Sequence, residues 1–502
     1  MFKIFTGNHL VEAYHREKKL KRNTNVLSKS VKLLAAIAVG IVVWALPTEV
    51  FGIEGLTLVE QRVIALFCFA TMMWVTEAIP SWTTSVAIIV ILLYTCSDSS
   101  LFFFTNSPAE ELGTLLSHKA IMAQFANPII MLFIGGFILA IAATKSGLDV
   151  KLARVLLKPF GTKSENVLLG FLLVTGLFSM FLSNTATAAM MLTFLTPVLK
   201  TLPANGKGKI ALALAIPIGA NIGDIGTPIG TPPNSIAISY LANPDGLNMQ
   251  IGFGQWMLYM CPLVAVLLFI AWFLLKTMFP FTQKEIELHI EGEAKTDWRT
   301  YVVYVTFAVT VLLWMFDKYT GVNSNVVAML PVGVFCTCGI ITRRDLEEIN
   351  WAVLWMVAGG FALGLALQDS NLAAHIISTI PFGTWSPLLM ILGSGLLCYA
   401  MANFISHTAT ANLLFPILAL AGLSTSSTLA PYGGVSTLLI GVALSSSVTM
   451  VLPISTPPNA LAHATGLIEQ KQMMRVGLIM GVIGLLLGYV LLFFIGRYGL
   501  MN

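Results

Sequence analysis

The sequence predicts an all-α integral membrane protein of about eleven transmembrane helices plus two re-entrant hairpins, arranged as an inverted repeat. Three observations predict it. Of 502 residues, 56% are hydrophobic and only 10% charged, where a soluble protein carries about a quarter charged residues. Apolar runs recur along the whole chain, most of them the length a helix needs to cross a hydrocarbon core of about 30 Å. The two halves also carry matching polar interruptions in the same order. The net charge of +4 is no nucleic-acid footprint, because the basic residues sit in loops between apolar runs, as orientation in a bilayer requires.

A basic tail over residues 1–30 precedes the first apolar run, 31–53. No small-residue cleavage site follows that run, so it reads as an uncleaved first span and not a signal peptide. Runs 58–79, 82–95, 127–144, 252–280, 300–316, 324–342, 351–367 and 473–496 each read as one helix. Runs 165–198, 208–241, 385–420 and 434–466 are over-long and broken in the middle by polar, Gly or Pro residues. Residues 31–280 therefore hold the first helix and repeat 1, with a hairpin at 164–200 and a broken helix at 208–241. A hydrophilic linker, 281–299, leads to repeat 2 in 300–502, with its hairpin at 383–420 and broken helix at 434–466. Cys68, Cys96, Cys261, Cys336, Cys338 and Cys398 form no Cys-x-x-Cys pair, and most lie in apolar runs, where they read as small buried hydrophobes.

The repeat is explicit. Gly135-Gly136-Phe137 returns as Gly359-Gly360-Phe361. The stretch from Phe181 to Ala188 (FLSNTATA) returns from Phe404 to Ala411 (FISHTATA), and Thr231-Pro232-Pro233-Asn234 returns as Thr456-Pro457-Pro458-Asn459. What the halves share is their breaks, and paired breaks in apolar helices are the best pointer in a sequence to the binding site of a secondary transporter.

Charge sets the topology. With the N-terminus in the cytoplasm and both hairpins re-entrant, segments 1–32, 145–163, 200–209, 276–299, 342–349 and 471–475 are cytoplasmic and carry 24 of the 28 Lys and Arg residues. A full crossing at 165–198 would strand nine of those bases outside. The arm from Ala189 to Lys200 also reads as about 18 Å of helix, too short to span. The C-terminus then lies outside, in a cell membrane.

Polar backbone at membrane depth survives only where protein buries it or a wet cavity meets it. The Ser183-Asn184-Thr185 and Ser406-His407-Thr408 tips are therefore candidates for ligand contact. So are the Thr231-Pro232 and Thr456-Pro457 breaks, since a Pro pair cannot continue a helix but starts one well. Four helix starts from two repeats suit a small anion with a negative group at each end, and the carbonyls freed at the same breaks suit sodium. Asp224 reads either as a cation or proton ligand or as a structural partner to a loop amide. His407 reads either as a carboxylate contact or titrating group or as a neutral histidine satisfied locally. His463 and Glu77 read as structural. No His-x-x-x-His pair, Gly-Lys-Thr phosphate loop or Gly-x-Ser-x-Gly elbow occurs, so an enzyme is not expected, nor is any organic cofactor.

These motifs, with Trp74 to Pro80, resemble the divalent anion:sodium symporter family, the INDY-type dicarboxylate and citrate transporters. The resemblance implies a homodimer in which a transport domain slides like an elevator against a fixed scaffold. Its substrates would be succinate, malate, fumarate, 2-oxoglutarate or citrate. By motif match, Ser183, Asn184, Thr185, Thr231 and Pro232 would hold substrate on one side, and Ser406, His407, Thr408, Thr456 and Pro457 on the other. A sodium site would map onto Ser179, Ser183, Asn184 and Gly230. The second site departs from the family pattern, with Ala402 in place of a hydroxyl ligand and His407 in place of an amide. That departure favours a dicarboxylate exchanger over the alternative, a sodium-coupled symporter. A channel or membrane receptor is the remote alternative.

Overall fold

Every regular element among the described residues is helical, the form that satisfies a backbone in lipid without help from a neighbouring strand. The computed structural model describes residues 26–203, 206–243, 246–286, 297–379 and 382–499. The expected basic tail up to residue 25 and linker residues 287–296 lie outside the described residues.

In the first half, α1 (Val26–Ala45), α2 (Leu58–Thr76) and α3 (Ser81–Thr95) lead to α4 (Pro128–Ser146). Thr57 starts α2 with a capping box, its amide and hydroxyl reaching Glu60 Oε2 at 2.8 and 2.9 Å. Asn127 starts α4, its Oδ1 accepting the Ile129 amide at 2.9 Å beside Pro at the first helical position. Then come α5 (Ser164–Phe181), α6 (Asn184–Thr201), α7 (Gly208–Gly223), α8 (Pro232–Ala242) and α9 (Phe253–Met278). The second half runs through α10 (Trp298–Met315), α11 (Met329–Thr337), α12 (Trp351–Asp369), α13 (Ser394–Ala402), α14 (His407–Ser424), α15 (Gly434–Ser447), α16 (Pro457–Ala464) and α17 (Gln470–Arg497).

Packing repeats as the sequence does. α5, α6 and α9 pack on α7 as α13, α14 and α17 pack on α15. The breaks interlock across the halves: α6 and α7 pack on α16, and in return α14 and α15 pack on α8. The repeated Gly-Gly-Phe marks close helix approach. A Cβ on Gly135 would lie 2.1 Å from the Ala328 carbonyl oxygen, and one on Gly359 would lie 2.4 Å from the Ser85 Cβ, so neither position admits a side chain.

Some lengths differ from expectation. Nine helices are long and apolar enough to span among the described residues, or ten if the bent pair Ser426–Tyr432 and Gly434–Ser447 is one span, against the eleven expected. The run 82–95 makes a helix of only 15 residues. The first run stops at Ala45, ahead of Pro47 and a short 3-10 turn, and 324–342 divides at Ala328. The arm expected from Ala189 begins instead at Asn184, because the backbone at Ser183, the residue before it, is non-helical, φ −56° and ψ 128°. α6 thus has 18 residues, or about 27 Å, and its length no longer argues for a re-entrant turn. All six cysteines are free; Cys96 and Cys398 are buried, but Cys336 is exposed, since α11 turns that face away from its neighbours.

Candidate functional site

Four helices start at the breaks: α6 at Asn184, α8 at Pro232, α14 at His407 and α16 at Pro457. Their first N–H groups have no partner within the helix. The capping residues do not behave alike. Ser406 Oγ accepts the Ala409 amide at 3.2 Å and Thr456 Oγ1 accepts the Asn459 amide at 3.3 Å, whereas Ser183 and Thr231 make no side-chain cap. The first-half starts therefore keep their hydroxyls uncommitted to the helix.

Behind each Pro pair an asparagine fastens the break. Asn234 Nδ2 donates to the carbonyls of Asp224 and Thr227 at 3.0 and 2.9 Å. Asn459 Nδ2 donates to those of Met450 and Leu452 at 2.9 and 3.0 Å. Asn459 Oδ1 in turn accepts from Asn221 Nδ2 at 2.9 Å, which ties the two breaks together. Asn459 and Asn234 stood in the repeated motif, but Asn221 carried no signal in the sequence.

The side chains behind the two tips differ between the halves. In the first, Ser179 Oγ lies 2.5 Å from Asn184 Oδ1 and 2.8 Å from the Ala220 carbonyl, and Asn184 Nδ2 donates to Asp224 Oδ2. Asp224 is buried, and its Oδ1 has no hydrogen-bond partner. A Cβ on Gly230 would lie 2.2 Å from the Asp224 carbonyl oxygen, so only glycine lets the loop fold onto that carbonyl. The structure thus brings Ser179, Asn184 and Gly230 to Asp224. An all-oxygen set with one carboxylate fits a hard cation such as sodium.

In the second half Ala402 replaces the serine, and its carbonyl accepts from Thr449 Oγ1 at 3.4 Å. His407 Nε2 lies 2.6 Å from the same hydroxyl, which also donates to Ser446 O at 2.6 Å. One hydroxyl proton cannot serve three acceptors. With Thr449 Oγ1 bonded to a carbonyl, His407 Nε2 is left as the donor to its oxygen. His407 and Thr449 occupy the places of Asn184 and Asp224, 223 and 225 residues earlier. Thr449 was missed, though the repeat offset points to it.

Two cavities flank the breaks. A cavity of about 300 Å³ holds Ser183 and Thr187 of the first tip together with Asp149, Glu348 and Asn350. A larger one, about 410 Å³, touches the first break at Pro228 and Ser235 and mixes side-chain amides such as Gln124, Asn243 and Asn325 with apolar residues such as Leu132 and Phe361. Of the expected contact residues, only Ser183 lines either. Thr231, His407, Thr408 and Thr456 are buried, while Ser183, Asn184, Thr185, Pro232 and Ser406 are partly exposed and Pro457 is exposed. His463 lies near the end of α16. Glu77 is an exposed C-cap of α2 with a left-handed backbone, φ 46°.

Residues 27–501 match the family described as the sodium:sulfate symporter transmembrane region. A protein of Staphylococcus saprophyticus named sodium-dependent dicarboxylate transporter SdcS is 28% identical over 505 residues, covering 93% of this chain and 92% of its own. The protein of that name from Staphylococcus aureus strain USA300 is 28% identical over 526 residues, 96% of both chains. Among solved structures, the YdaH transporter of Alcanivorax borkumensis, described as having an unusual topology, matches with a TM-score of 0.51. It is 12% identical and covers 83% of this chain and 98% of that one, a likeness of fold alone.

Proposed function

The chain belongs to the sodium:sulfate symporter family, and from that premise we propose that it carries small dicarboxylates across the membrane, driven by sodium. The observation that supports the reading is the contact of the break-flanking helices across the halves, α6 on α16 and α14 on α8; in this reading helix starts from both halves share one locus. Partial positive charge at those starts suits a carboxylate at each end of a small acid. The oxygen set around Asp224 suits the coupling ion. The relatives named as sodium-dependent dicarboxylate transporters support the same choice. Succinate, malate, fumarate, 2-oxoglutarate and citrate are the acids to compare. In this reading Ser183, Asn184, Thr185 and Thr231 face Ser406, His407, Thr408 and Thr456 across the substrate. The two tips are re-entrant, the N-terminus is cytoplasmic and the C-terminus outside. The interlocked breaks then move as one body against α1–α4 and α10–α12 in an elevator-like homodimer.

One observation favours a second reading, sodium-independent dicarboxylate exchange. The second half offers Ala402 and a His407–Thr449 pair where a second cation would need oxygen. Reconstituted vesicles separate the two. Sodium-driven symport predicts uptake of labelled succinate into vesicles empty of dicarboxylate, rising steeply with external sodium. Uptake that needs internal dicarboxylate and ignores sodium would replace symport by exchange, and uptake in neither case would reject dicarboxylate transport.

A further inference from the structure

The first break contains a carboxylate with no cationic partner among the described residues, in a place that disfavours it. Asp224 is 1% exposed. Its Oδ2 accepts one amide from Asn184 and its Oδ1 none. It is also the C-cap of α7, where the carbonyl ends of the helix already concentrate negative charge. Burial of an ionised carboxylate without a counter-charge costs several kcal/mol.

Its surroundings are short of protons as well as of positive charge. Ser179 Oγ sits within hydrogen-bond distance of both Asn184 Oδ1 and the Ala220 carbonyl, yet owns one proton for two acceptors. Asn234, Trp256 and Cys261 also reach this loop, but their bonds go to the carbonyls of Asp224, Thr227, Ile225 and Gly226, and the Thr227 hydroxyl bonds the Met180 carbonyl. The basic residues of the packed helices stand at their far ends, Lys200 and Lys209 on α6 and α7, with Lys276 on α9 bound to Glu165 at 3.3 Å.

We propose that Asp224 is the fixed anionic ligand of a monovalent cation site in the first half, closed by Asn184 Oδ1, Ser179 Oγ and the Ala220 carbonyl. The inference deepens the sodium-coupled reading and rests on it. It assigns the ion to one half only: position 449 is a threonine committed to His407, so the second half has no matching charge. A carboxylate holds sodium more tightly than neutral oxygens do, and the site is neutral overall when a monovalent ion fills it.

The test reads binding without transport. The purified full-length protein, with no dicarboxylate present, is unfolded thermally while sodium replaces choline at constant ionic strength. Sodium should raise the unfolding midpoint of the wild type. D224N should need at least about tenfold more sodium for the same shift, because the amide keeps the Asn184 contact and loses only the charge. T449V should leave the sodium response unchanged. If D224N does not fold, S179A gives the same test, with a rise of about threefold in the sodium required. A wild type indifferent to sodium, or a D224N or S179A response matching wild type, overturns the assignment. Sodium-driven uptake that survives beside such a result leaves the proposed function standing. A sodium shift lost in D224N beside sodium-independent uptake removes symport and keeps the site.

Discussion

Asn221 and Asn459, 238 residues apart in the chain, share a buried 2.9 Å hydrogen bond, Asn221 Nδ2 donating to Asn459 Oδ1. Asn459 also holds two carbonyls of its own break, so the two partners should not be equal. Asn221→Ala should cost about 1–3 kcal/mol, the price of one unpaired buried amide. Asn459→Ala should cost more, since it frees two carbonyls besides. Thermal unfolding in detergent ranks them, and equal losses would deny that Asn459 is the hub.

The tips permit a finer comparison. Ser406→Ala removes a helix cap as well as any substrate contact, and should lower stability by about 1 kcal/mol. Ser183→Ala removes no cap and should leave stability unchanged while raising KM for succinate by about tenfold, one hydrogen bond to a charged group. A drop in stability for Ser183→Ala without a change in KM would make its role structural.

Histidine at 407, paired with Thr449, stands where the first half has Asn184. Ala402→Ser with His407→Asn should restore the oxygen pattern of Ser179 and Asn184 there. Uptake should then depend on sodium more steeply, with a Hill coefficient higher than that of the wild type. An unchanged coefficient means that position 407 is not what sets the ion count.

Lys145 binds Asp345 Oδ2 at 2.6 Å and the Ile340 carbonyl at 2.8 Å, which anchors α4 to the loop before α12. Burial pushes the Asp345 carboxyl up, but hydrogen bonds from Lys145 and Thr342 outweigh it and hold the group below its ordinary range. A lowered carboxyl contributes stability above the ordinary aspartate value of about 3.9, and loses it as pH falls through the folded value. Asp345→Asn should therefore be less stable than wild type by about 1–2 kcal/mol at pH 7, and the gap should narrow as pH falls through the lowered carboxyl value. A gap independent of pH would point to lost packing.

Orientation is tested at the loop before α7. A single cysteine at Lys207, in a chain whose six native cysteines are replaced, should react with impermeant maleimide only from the cytoplasmic side. Labelling from outside would undo the re-entrant reading of the first tip.

The sequence made some of this legible for physical reasons. Pro232 and Pro457 cannot continue a helix, so both breaks could be read from single residues, and the same residue types recur at both tips. The Asn221–Asn459 bond and the Thr449 contact with His407 were illegible because each joins distant segments, and no local pattern encodes which carbonyl or ring they will meet. The start of α6 was misjudged by five residues, from Ala189 to Asn184. Small and hydroxyl side chains there suit a loop as well as a helix, and Ser183 decides the matter through its backbone.

The duplicated halves have kept one pair of positions in common work and released another. Asn234 and Asn459 still do the same job, each lashing two carbonyls, and neither can drift without spoiling its own half. Positions 224 and 449 hold an acid and an alcohol. The molecule is thus symmetrical in how these breaks are built and lopsided in how they are charged.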